Sequence, residues 1–409
     1  MWSRSYDIGS VGYVSEAAVR KYLENQQMRK MRKNFKYKLY PTKAQIAALD
    51  EQLAEACRLY NAAIQERRDE YRISHESINY YDQANQLKEI RANGDLALAN
   101  FSCCQDVLRR VDKTFKAFFR RVRNGETPGY PRFRRLARYD SLTFPSWGDG
   151  CGLLDHHKLR VQGIGHLKIK LHRPIGGKIK TLTIKREAAQ WFAVFSVECE
   201  SAPLPACHES IGIDVGLSVF ATLSDGSEIN NPRYHRKAQV KLRRAQRKVA
   251  RRKRGSKNRK KAIRELQRTH SHIRNQREDF AHKVSRTLVV LFGLIVIEDL
   301  NIKGLAAGML AKSVNDAGWS SFIAKLAYKA EEAGRVLMKV DPRGTSQRCI
   351  CGAPNPKTLS QRWHSCDACG LSVSRDHASA LEILRLGLSL LGETWLVTAS
   401  VPNEAVCLS

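Results

Sequence analysis

Ile211-Gly-Ile-Asp-Val-Gly216 is the stretch that decides the fold of the second half of this chain. It predicts a short β-strand, because apolar residues alternate with glycines around a single charge. Ile211, Ile213 and Val215 share one face of this strand, and Asp214 shares the other face with the two glycines. Glycines beside a carboxylate remove side chains, so a metal ion and a nucleic-acid backbone could approach Asp214 closely.

Two further acids stand at comparable places along the chain. A second buried strand is predicted over 294–298, and it ends in Glu298. A lone carboxylate at the end of such a strand is costly to desolvate unless it is paired or binds a cation. The third acid, Asp376, lies in the first turn of a predicted helix. Each acid alone also fits an ordinary solvent-facing position, and Glu298 with Asp299 fits a turn.

The order of the predicted elements brings these three acids together. A strand, a hairpin, a basic helical insertion, a strand, a helix over 317–334, a strand over 335–340 and a final helix follow one another. Acids on the first strand, the fourth strand and the last helix of an RNase H-like sheet can converge. Two Mg²⁺ ions held by carboxylates can activate a water and stabilise the leaving oxygen of a phosphodiester. The set Asp214, Glu298 and Asp376 therefore predicts a two-metal catalytic site.

Four of the eleven cysteines form one tight group in which two pairs are separated by fourteen residues. They are Cys349, Cys351, Cys366 and Cys369. Thiolate pairs on glycine-containing turns suit a tetrahedral structural zinc in a reducing cytoplasm, rather than a disulfide framework. The first pair, Cys-x-Cys, is tighter than the usual Cys-x-x-Cys, so reduced cysteines without a metal are the alternative. His364 could replace a thiolate, although packing beside Trp363 is favoured.

The charge of the chain is its most unusual bulk property, since 409 residues carry a net charge of +30. Residues 233–277 hold twenty Lys or Arg against one acid, Glu265, a local balance of +19. Such like charges repel one another unless a polyanion neutralises them. Nucleic acid is the predicted partner, an anionic membrane is second, and a solvated helical face is the simplest alternative. The predicted phosphate contacts are Arg243, Arg244, Arg247, Arg251, Arg254 and Lys257, and the spacing of the five arginines places them along one helical side.

Several function classes are excluded by what the sequence lacks. The longest apolar run, 288–297, is interrupted by Gly293 and is too short to span a bilayer. No Walker-type phosphate loop indicates ATP chemistry. No secretory signal opens the chain, because Asp7, Glu16 and Glu24 interrupt its apolar residues. We expect no membrane partner and a cytoplasmic, nucleoid-associated prokaryotic protein of two or three domains.

The first half of the chain predicts helices flanked by β-structure. A basic strand over 35–39 precedes Thr42, which can cap a helix running to about Arg72. A second helical region follows over 81–123. Residues 140–200 alternate in period two with frequent turn residues, which indicates a β-rich module.

Seven motifs between residues 34 and 385 resemble, in their order, the TnpB (OrfB) family of transposon-encoded RNA-guided nucleases, relatives of the type V CRISPR effectors. They are Tyr37-Lys-Leu-Tyr-Pro41, Pro131-Arg-Phe-Arg134, Gly212-Ile-Asp-Val-Gly216, Arg277-Glu-Asp-Phe-Ala-His-Lys283, Ile297-Glu-Asp-Leu-Asn301, Asp316-Ala-Gly-Trp319 and the cysteine ribbon leading into Arg375-Asp376. The resemblance implies an α+β multidomain protein. Its RNase H-like (RuvC) α/β nuclease domain carries a zinc-ribbon insertion, and a helical recognition domain is inserted in a β-rich wedge domain.

The implied domain boundaries follow from these motifs. They are a disordered leader over 1–33, a wedge domain over 34–48 and 126–205, a helical recognition domain over 49–125, a nuclease domain over 206–345 with the basic helical insertion 233–277, a zinc ribbon over 346–371, the C-terminal nuclease part over 372–390 and a tail over 391–409. The resemblance also implies a RuvC-type triad of Asp214, Glu298 and Asp376 with two Mg²⁺ (or Mn²⁺), besides one structural Zn²⁺.

The resemblance implies a guide RNA from the transposon end, double-stranded target DNA next to a short motif, and a monomeric protein. Motif reading is assigned to a helix start, where aromatic and amide side chains could contact base edges. The residues are Tyr80, Tyr81, Gln83 and Asn85, with ordinary surface positions as the alternative. Three other functions stay open: a compact CRISPR effector, a guided DNA-binding repressor with weak or no cleavage, and a strand-joining transposase.

Residues 1–30 resemble the C-terminal end of the single-tyrosine transposase often encoded beside this family. Tyr22 and Gln26 match its catalytic tyrosine and the glutamine that follows it, but its His-hydrophobic-His metal motif is missing. We interpret this segment as a remnant or an overlapping reading frame, with Met28 or Met31 as possible native starts.

Departures from the family pattern cluster around the third acid. Ser374 stands where the family usually has Asp, Ala378 stands where it has Asn, and the first cysteine pair is one residue short. Each difference could loosen the geometry around Asp376, but all three acids of the triad are present.

Overall fold

The structure is a computed structural model, and its described residues form two compact units. The described residues are 30–188, 190–201, 203–358 and 360–391. One unit is Lys30–Glu200, and the other comprises the described residues from Ser201 onward. Tyr22 and Gln26, with the transposase-like segment around them, lie outside the described residues, as does the tail after residue 391.

A seven-stranded antiparallel sheet forms the framework of the first unit. Its strands are β1 (Lys30–Tyr40), β2 (Ser141–Phe144), β3 (Cys151–Asp155), β4 (Lys158–Val161), β5 (Gly165–Lys170), β6 (Lys178–Glu187) and β7 (Gln190–Glu200), in the order β2-β6-β7-β1-β5-β4-β3. Strand β1 pairs with β7 from Lys30 opposite Glu200 to Leu39 opposite Trp191. The expectation of a disordered leader up to residue 33 is therefore wrong for 30–33, which β7 holds in the sheet.

Three helices lie in sequence between the first and second strands of this sheet. They are α1 (Lys43–Ser74), α2 (Tyr80–Ala92) and α3 (Phe101–Arg123). The predicted cap of α1 is confirmed, because Thr42 Oγ1 accepts from the Gln45 backbone N–H at 3.3 Å and Gln45 Oε1 accepts from that of Thr42 at 3.0 Å. The single helical region predicted over 81–123 is two helices. The reason is local, since Asn100 Oδ1 accepts from the Cys103 N–H at 2.9 Å and starts a new helix.

The second unit contains a five-stranded mixed sheet. Its strands are β8 (Ser210–Val215), β9 (Val219–Leu223), β10 (Glu228–Asn230), β11 (Leu294–Glu298) and β12 (Val336–Val340), in the order β10-β9-β8-β11-β12. Strands β8, β9 and β10 are antiparallel neighbours, whereas β11 runs parallel to both β8 and β12. The strand that carries Asp214 is therefore central, as its apolar sequence requires.

Helices cover both faces of this sheet. They belong to a set of six: α4 (Tyr234–Ala250), α5 (Lys257–Leu291), α6 (Ile302–Leu305), α7 (Ala311–Ala317), α8 (Trp319–Ala333) and α9 (Arg375–Leu390). Ile211 and Ile213 are buried in one core with residues of α5 and α8, whereas Val296 is buried in another with Ile383 and Leu384 of α9. The predicted alternation of β8 is thus confirmed. No helix in the described part of the chain is long and apolar enough to cross a membrane.

Candidate active site and metal centre

Three acids come from three elements of the second unit. Asp214 is near the end of β8, and Glu298 ends β11. The parallel register places Ile297 beside Ile213, so the residues that follow them, Glu298 and Asp214, lie side by side. Asp376 lies in the first turn of α9, which packs on the sheet against β8 and β11.

The three carboxylates interact electrostatically. Burial, together with the negative charges of Glu298 and Asp376, raises the pKa of Asp214 to about 7, although the positive charge of Arg375 opposes this shift. Burial also raises the pKa of Glu298, although the Thr345 hydroxyl donates to its Oε1 at 2.6 Å and lowers it. Like charges held together in a dehydrated site are destabilising, and a bound cation would relieve that repulsion. The donor set therefore fits hard divalent cations such as Mg²⁺.

The carboxylate group is not a closed ligand shell. Within the described residues, only the four cysteines form a group of three or more metal-type side chains whose ligand atoms all lie within 4.8 Å of one another. The three acids do not form such a group.

Glycines hold α9 close to the sheet. A Cβ at position 212 would lie 2.8 Å from the backbone N of Leu384, and one at position 387 would lie 2.7 Å from Cγ1 of Val296. Both separations are shorter than real contacts, so only glycine fits. The sequence interpretation assigned Gly212 to ion access, whereas in the structure it admits the helix that carries Asp376.

The departures around the third acid have structural explanations. Ser374 caps α9, because its hydroxyl accepts from the His377 backbone N–H at 3.3 Å. The His377 ring Nε2 lies 3.2 Å from the carbonyl oxygen of Ser224 and so ties the helix start to the β9–β10 turn. Ala378 is buried. Serine thus keeps a cap acceptor at the position where the family usually has Asp.

The neighbouring acid Asp299 is outside this group. Its side chain is mostly exposed and forms an ion pair with the Lys339 ammonium at 2.8 Å. Asp299 thus follows the strand as an exposed acid, while Glu298 contributes to the carboxylate group.

The four cysteines are brought together by two local turns and a short ribbon. The Sγ atoms of Cys349 and Cys369 are 3.6 Å apart, and those of Cys351 and Cys366 are 3.7 Å apart. A tetrahedral zinc with Zn–S bonds of about 2.3 Å requires sulfur separations of roughly 3.8 Å. Each turn is closed by a backbone bond, Gly352 N–H to the Cys349 carbonyl and Gly370 N–H to the Cys366 carbonyl, both 2.8 Å. The short first pair does not prevent both of its cysteines from joining the cluster.

His364 is not part of the cysteine cluster. It lies on β13 (Trp363–Ser365), which pairs with β14 (Ser372–Ser374). His364 is fully buried and its Nδ1 contacts the Lys357 ammonium, whereas Trp363 is 61% exposed. Adjacent strand residues point to opposite faces, so the predicted packing of His364 beside Trp363 is wrong.

The basic segment 233–277 runs from Arg233 through the whole of α4 and the following turn into the first part of α5. All six predicted contact residues are exposed, but only Arg243, Arg244 and Arg247 belong to α4. Arg251 caps that helix and Arg254 lies in the turn, so the prediction of one helical side is wrong for them. The side chains still converge, since a cavity of about 520 Å³ is lined by basic residues alone. They are Arg244, Arg247, Lys248, Arg251 and Arg252.

The residues predicted to read a target motif differ in availability. Tyr81 is 74% exposed and Asn85 is exposed one turn later, while Tyr80 is half-buried. Gln83 is buried, accepts from Arg67 Nε at 2.8 Å and donates to the Ala63 carbonyl at 2.9 Å. Its amide is thus engaged within the helical unit, and its assignment to base reading is wrong.

A basic and aromatic groove in the first unit was missed by sequence reasoning. A cavity of about 480 Å³ is lined by Phe118 and Tyr130, whose ring centroids are 5.5 Å apart, and by Lys113, Arg121 and Arg132. Aromatic rings beside cations are typical of single-stranded nucleic-acid binding. The available signal was the run of phenylalanines near the end of α3 followed by the Tyr130-Pro-Arg motif.

Comparisons with known proteins place this chain in a family. Family models match residues 28–75 (a helix-turn-helix domain), residues 194–308 (described as "Probable transposase") and residues 319–383 (a Cas12f1-like TNB domain). The last match includes the cysteine cluster and Asp376.

Three relatives extend these matches. A Streptomyces pristinaespiralis protein, provisionally named an RNA-guided DNA endonuclease, is 33% identical over 88% of this chain and 91% of its own. InsQ of Escherichia coli K12, which is also provisionally named an RNA-guided DNA endonuclease, is 29% identical over 90% of this chain and 95% of its own. The CRISPR-associated endodeoxyribonuclease Cas12f1 of Sulfoacidibacillus thermotolerans is 32% identical over 43% of this chain and 45% of its own.

These matches, together with the structure, assign the chain to a class: multidomain α/β proteins of transposon origin with a zinc-ribbon-like cysteine cluster. The chain belongs to the TnpB (OrfB) family, and the resemblance predicted from its motifs is confirmed.

Proposed function

We propose that this protein is an RNA-guided endonuclease that cuts double-stranded DNA next to a short target-adjacent motif, in association with transposition. The observation that carries this proposal is the convergence of Asp214, Glu298 and Asp376 from three elements, where the charges of Glu298 and Asp376 add to burial in raising the pKa of Asp214. The names of relatives that share about a third or less of their residues over most of the chain support it.

The nuclease domain is of the RNase H-like (RuvC) type. Three antiparallel strands followed by two parallel ones, in the order β10-β9-β8-β11-β12, support this assignment. The first unit supplies the other two domains: its sheet is the wedge domain and the helices α1 to α3 are the recognition domain.

Each residue of the site has a distinct task. The three carboxylates would hold divalent cations such as Mg²⁺ or Mn²⁺, which would supply water activation and charge neutralisation at the scissile phosphate. Thr345 donates to one oxygen of Glu298 and so fixes the orientation of that carboxylate. The Arg375 guanidinium lies 3.5 Å from Asp376 Oδ1 and balances part of the negative charge. The cap at Ser374 fixes the start of the helix that presents Asp376.

The four thiolates of the cysteine cluster would hold one structural Zn²⁺, because their sulfur spacings suit tetrahedral coordination. The guide RNA and the target DNA bind as polyanions to surfaces such as the basic segment 233–277. The protein acts as a monomer with one guide RNA.

Guided cleavage tests the proposal directly. We expect the protein, purified with RNA transcribed from its own locus, to cut a matched duplex in Mg²⁺. Asp214→Ala, Glu298→Ala and Asp376→Ala should each slow cleavage at least about a hundredfold and leave guided binding unchanged, because the acids act on the reaction and not on phosphate affinity.

Asp299→Ala is the matched control, since this exposed acid is adjacent to Glu298 but outside the group. Wild-type cleavage by any triad variant would remove that residue from the site. Guided binding without cleavage by the wild-type protein would identify a repressor instead.

A further inference from the structure

A polar cavity of about 490 Å³ lies beside the strand that carries Asp214. It is lined by the segment that follows β8, by the start of α4 and by α7. The lining residues used below are Ser218, Arg233, Arg236, Lys312 and Asp316. The cavity contains no aromatic ring suited to stacking a base, apart from the imidazole of His235.

The negative charge in this cavity is already engaged. Both carboxylate oxygens of Asp316 accept backbone N–H groups from the first turn of α4, His235 at 2.8 Å and Arg236 at 3.0 Å. This helix has no side-chain cap of its own, so Asp316 of α7 serves as its cap from a distance in sequence. The carboxylate thus stabilises the helix start and offers little to a further cation.

The positive charges are only partly engaged. The Arg233 guanidinium donates to the carbonyl of Ser218 at 3.1 Å and shapes the segment after β8. Arg236 and Lys312 are both exposed, and within the described residues neither side chain has a hydrogen bond or an ion pair. Two cations that line one cavity repel each other unless an anion lies between them.

The cavity is close to the proposed cleavage centre. Its residue Leu217 follows Asp214 by three positions, so at most roughly 10 Å of extended chain separates their Cα atoms. That distance corresponds to a few nucleotides of a single strand.

We propose that this cavity binds a backbone phosphate of the DNA strand that is being cut, through Arg236 and Lys312. The inference rests on the proposed function and adds the subsite that positions the strand over Asp214. Both side chains act on strand position and not on the reacting atoms, so they are positioning residues. Unpaired cations without a stacking surface suit a phosphate rather than a base.

The test uses the full-length protein with its guide RNA and a double variant, Arg236→Gln with Lys312→Gln. The matched control, Arg286→Gln with Lys303→Gln, removes two exposed positive charges that lie outside both the cavity and the basic segment 233–277. Two quantities are measured: the affinity for a short single-stranded DNA across a salt series, and cleavage of targets in which one phosphate at a time is a neutral methylphosphonate.

We expect the double variant to lose about tenfold or more in oligonucleotide affinity, with a log–log salt slope lower by one to two units. One methylphosphonate a few nucleotides from the cut should slow the wild type about tenfold and slow the double variant no further. In cleavage, KM should rise while kcat changes little.

The proposal is overturned if the double variant behaves like the control, or if it loses guide RNA affinity instead, since the cavity would then hold RNA. A wild-type protein that cuts no target would refute the proposed function. The affinity for the single-stranded oligonucleotide would then still test the phosphate site, because that measurement does not require cleavage.

Discussion

The cysteine cluster and the carboxylate group are two candidate metal centres built on opposite principles. The four sulfurs lie within 4.8 Å of one another, and hydrogen bonds inside two short turns fix their positions. The acids come from β8, β11 and α9, and Asp214 has a pKa raised to about 7 by burial and by its neighbours.

The cysteine cluster and the carboxylate group therefore differ in how much of the fold each one requires. The ribbon needs only a few residues around each cysteine pair, so it is typical of a structural site that is complete in itself. The carboxylate group exists only when a helix packs on a sheet, and its like charges repel one another until bound cations neutralise them.

The largest expected effect is a difference between variants of the cysteine cluster, which should lose zinc and stability, and variants of the carboxylate group, which should lose only cleavage. Cys366→Ser should abolish the one zinc per chain and lower Tm on the order of 10 °C, because zinc binding contributes to folding. Asp376→Asn should keep the zinc and Tm but lose cleavage. Metal analysis, calorimetry and cleavage of a matched duplex measure these outcomes.

Cys199→Ser is the control for the ribbon, because Cys199 lies in β7 of the other unit. Intact, active protein that contains no zinc would end the claim of a structural metal. A Cys366→Ser variant that lost only activity would mean that the two centres are not independent.

A smaller effect concerns proton binding at Asp214. Its folded pKa of about 7 lies above the unfolded value, so the metal-free protein loses stability as pH rises towards 7. Asp214→Asn removes this penalty and should raise the free energy of unfolding at pH 8 by a few kcal/mol, with a smaller gain at pH 5. Calorimetry of the metal-free proteins at both pH values measures the difference.

Magnesium sharpens that result. Mg²⁺ at pH 8 should raise the Tm of the wild type and leave that of Asp214→Asn nearly unchanged, since the cation needs the carboxylate. An equal response of both proteins would place the cation elsewhere.

The smallest effect is expected for single arginine variants of the basic segment, which lies outside the cysteine cluster and the carboxylate group. Neutralising Arg243, Arg244 or Arg247 singly should weaken nucleic-acid binding without changing sequence preference. Each lost phosphate contact should also lower the log–log salt slope by roughly one unit or somewhat less. Affinity measured across a salt series with matched and mismatched guides tests this, and zinc content and Tm should stay constant.

A combined variant that also lacks Arg251 and Arg254 extends the series. An unchanged salt slope in that variant would show that the segment is a solvated run of charge.

Patterns that depend on neighbours in sequence were readable in advance. The Thr42–Gln45 cap and the alternating faces of β8 follow from local spacing, and the structure has both. The two cysteine pairs form one cluster for the same reason. The family membership could be predicted from the sequence because seven motifs occur in the same order as in the family, which coincidence would rarely produce.

Features that depend on distant packing were not readable. The burial of Gln83 is set by Arg67 and Ala63 on another helix, and the role of Gly212 is set by α9. The end of α4 at Ala250 precedes the first glycine of the segment, so charge spacing alone suggested a longer helix. The cap that Asp316 provides to α4 likewise joins residues that are far apart in sequence.

The late position of α9 has a consequence for protein synthesis. Asp214 is translated well before Asp376, by roughly 10–30 s at 5–20 residues per second. Until then the β8 face that α9 covers has no partner and the third acid is absent. On the proposed assignment, nascent chains and products of premature termination hold the nucleic-acid-binding surface without the ability to cut. Chain order thus delays the hazardous activity until α9 has been synthesised.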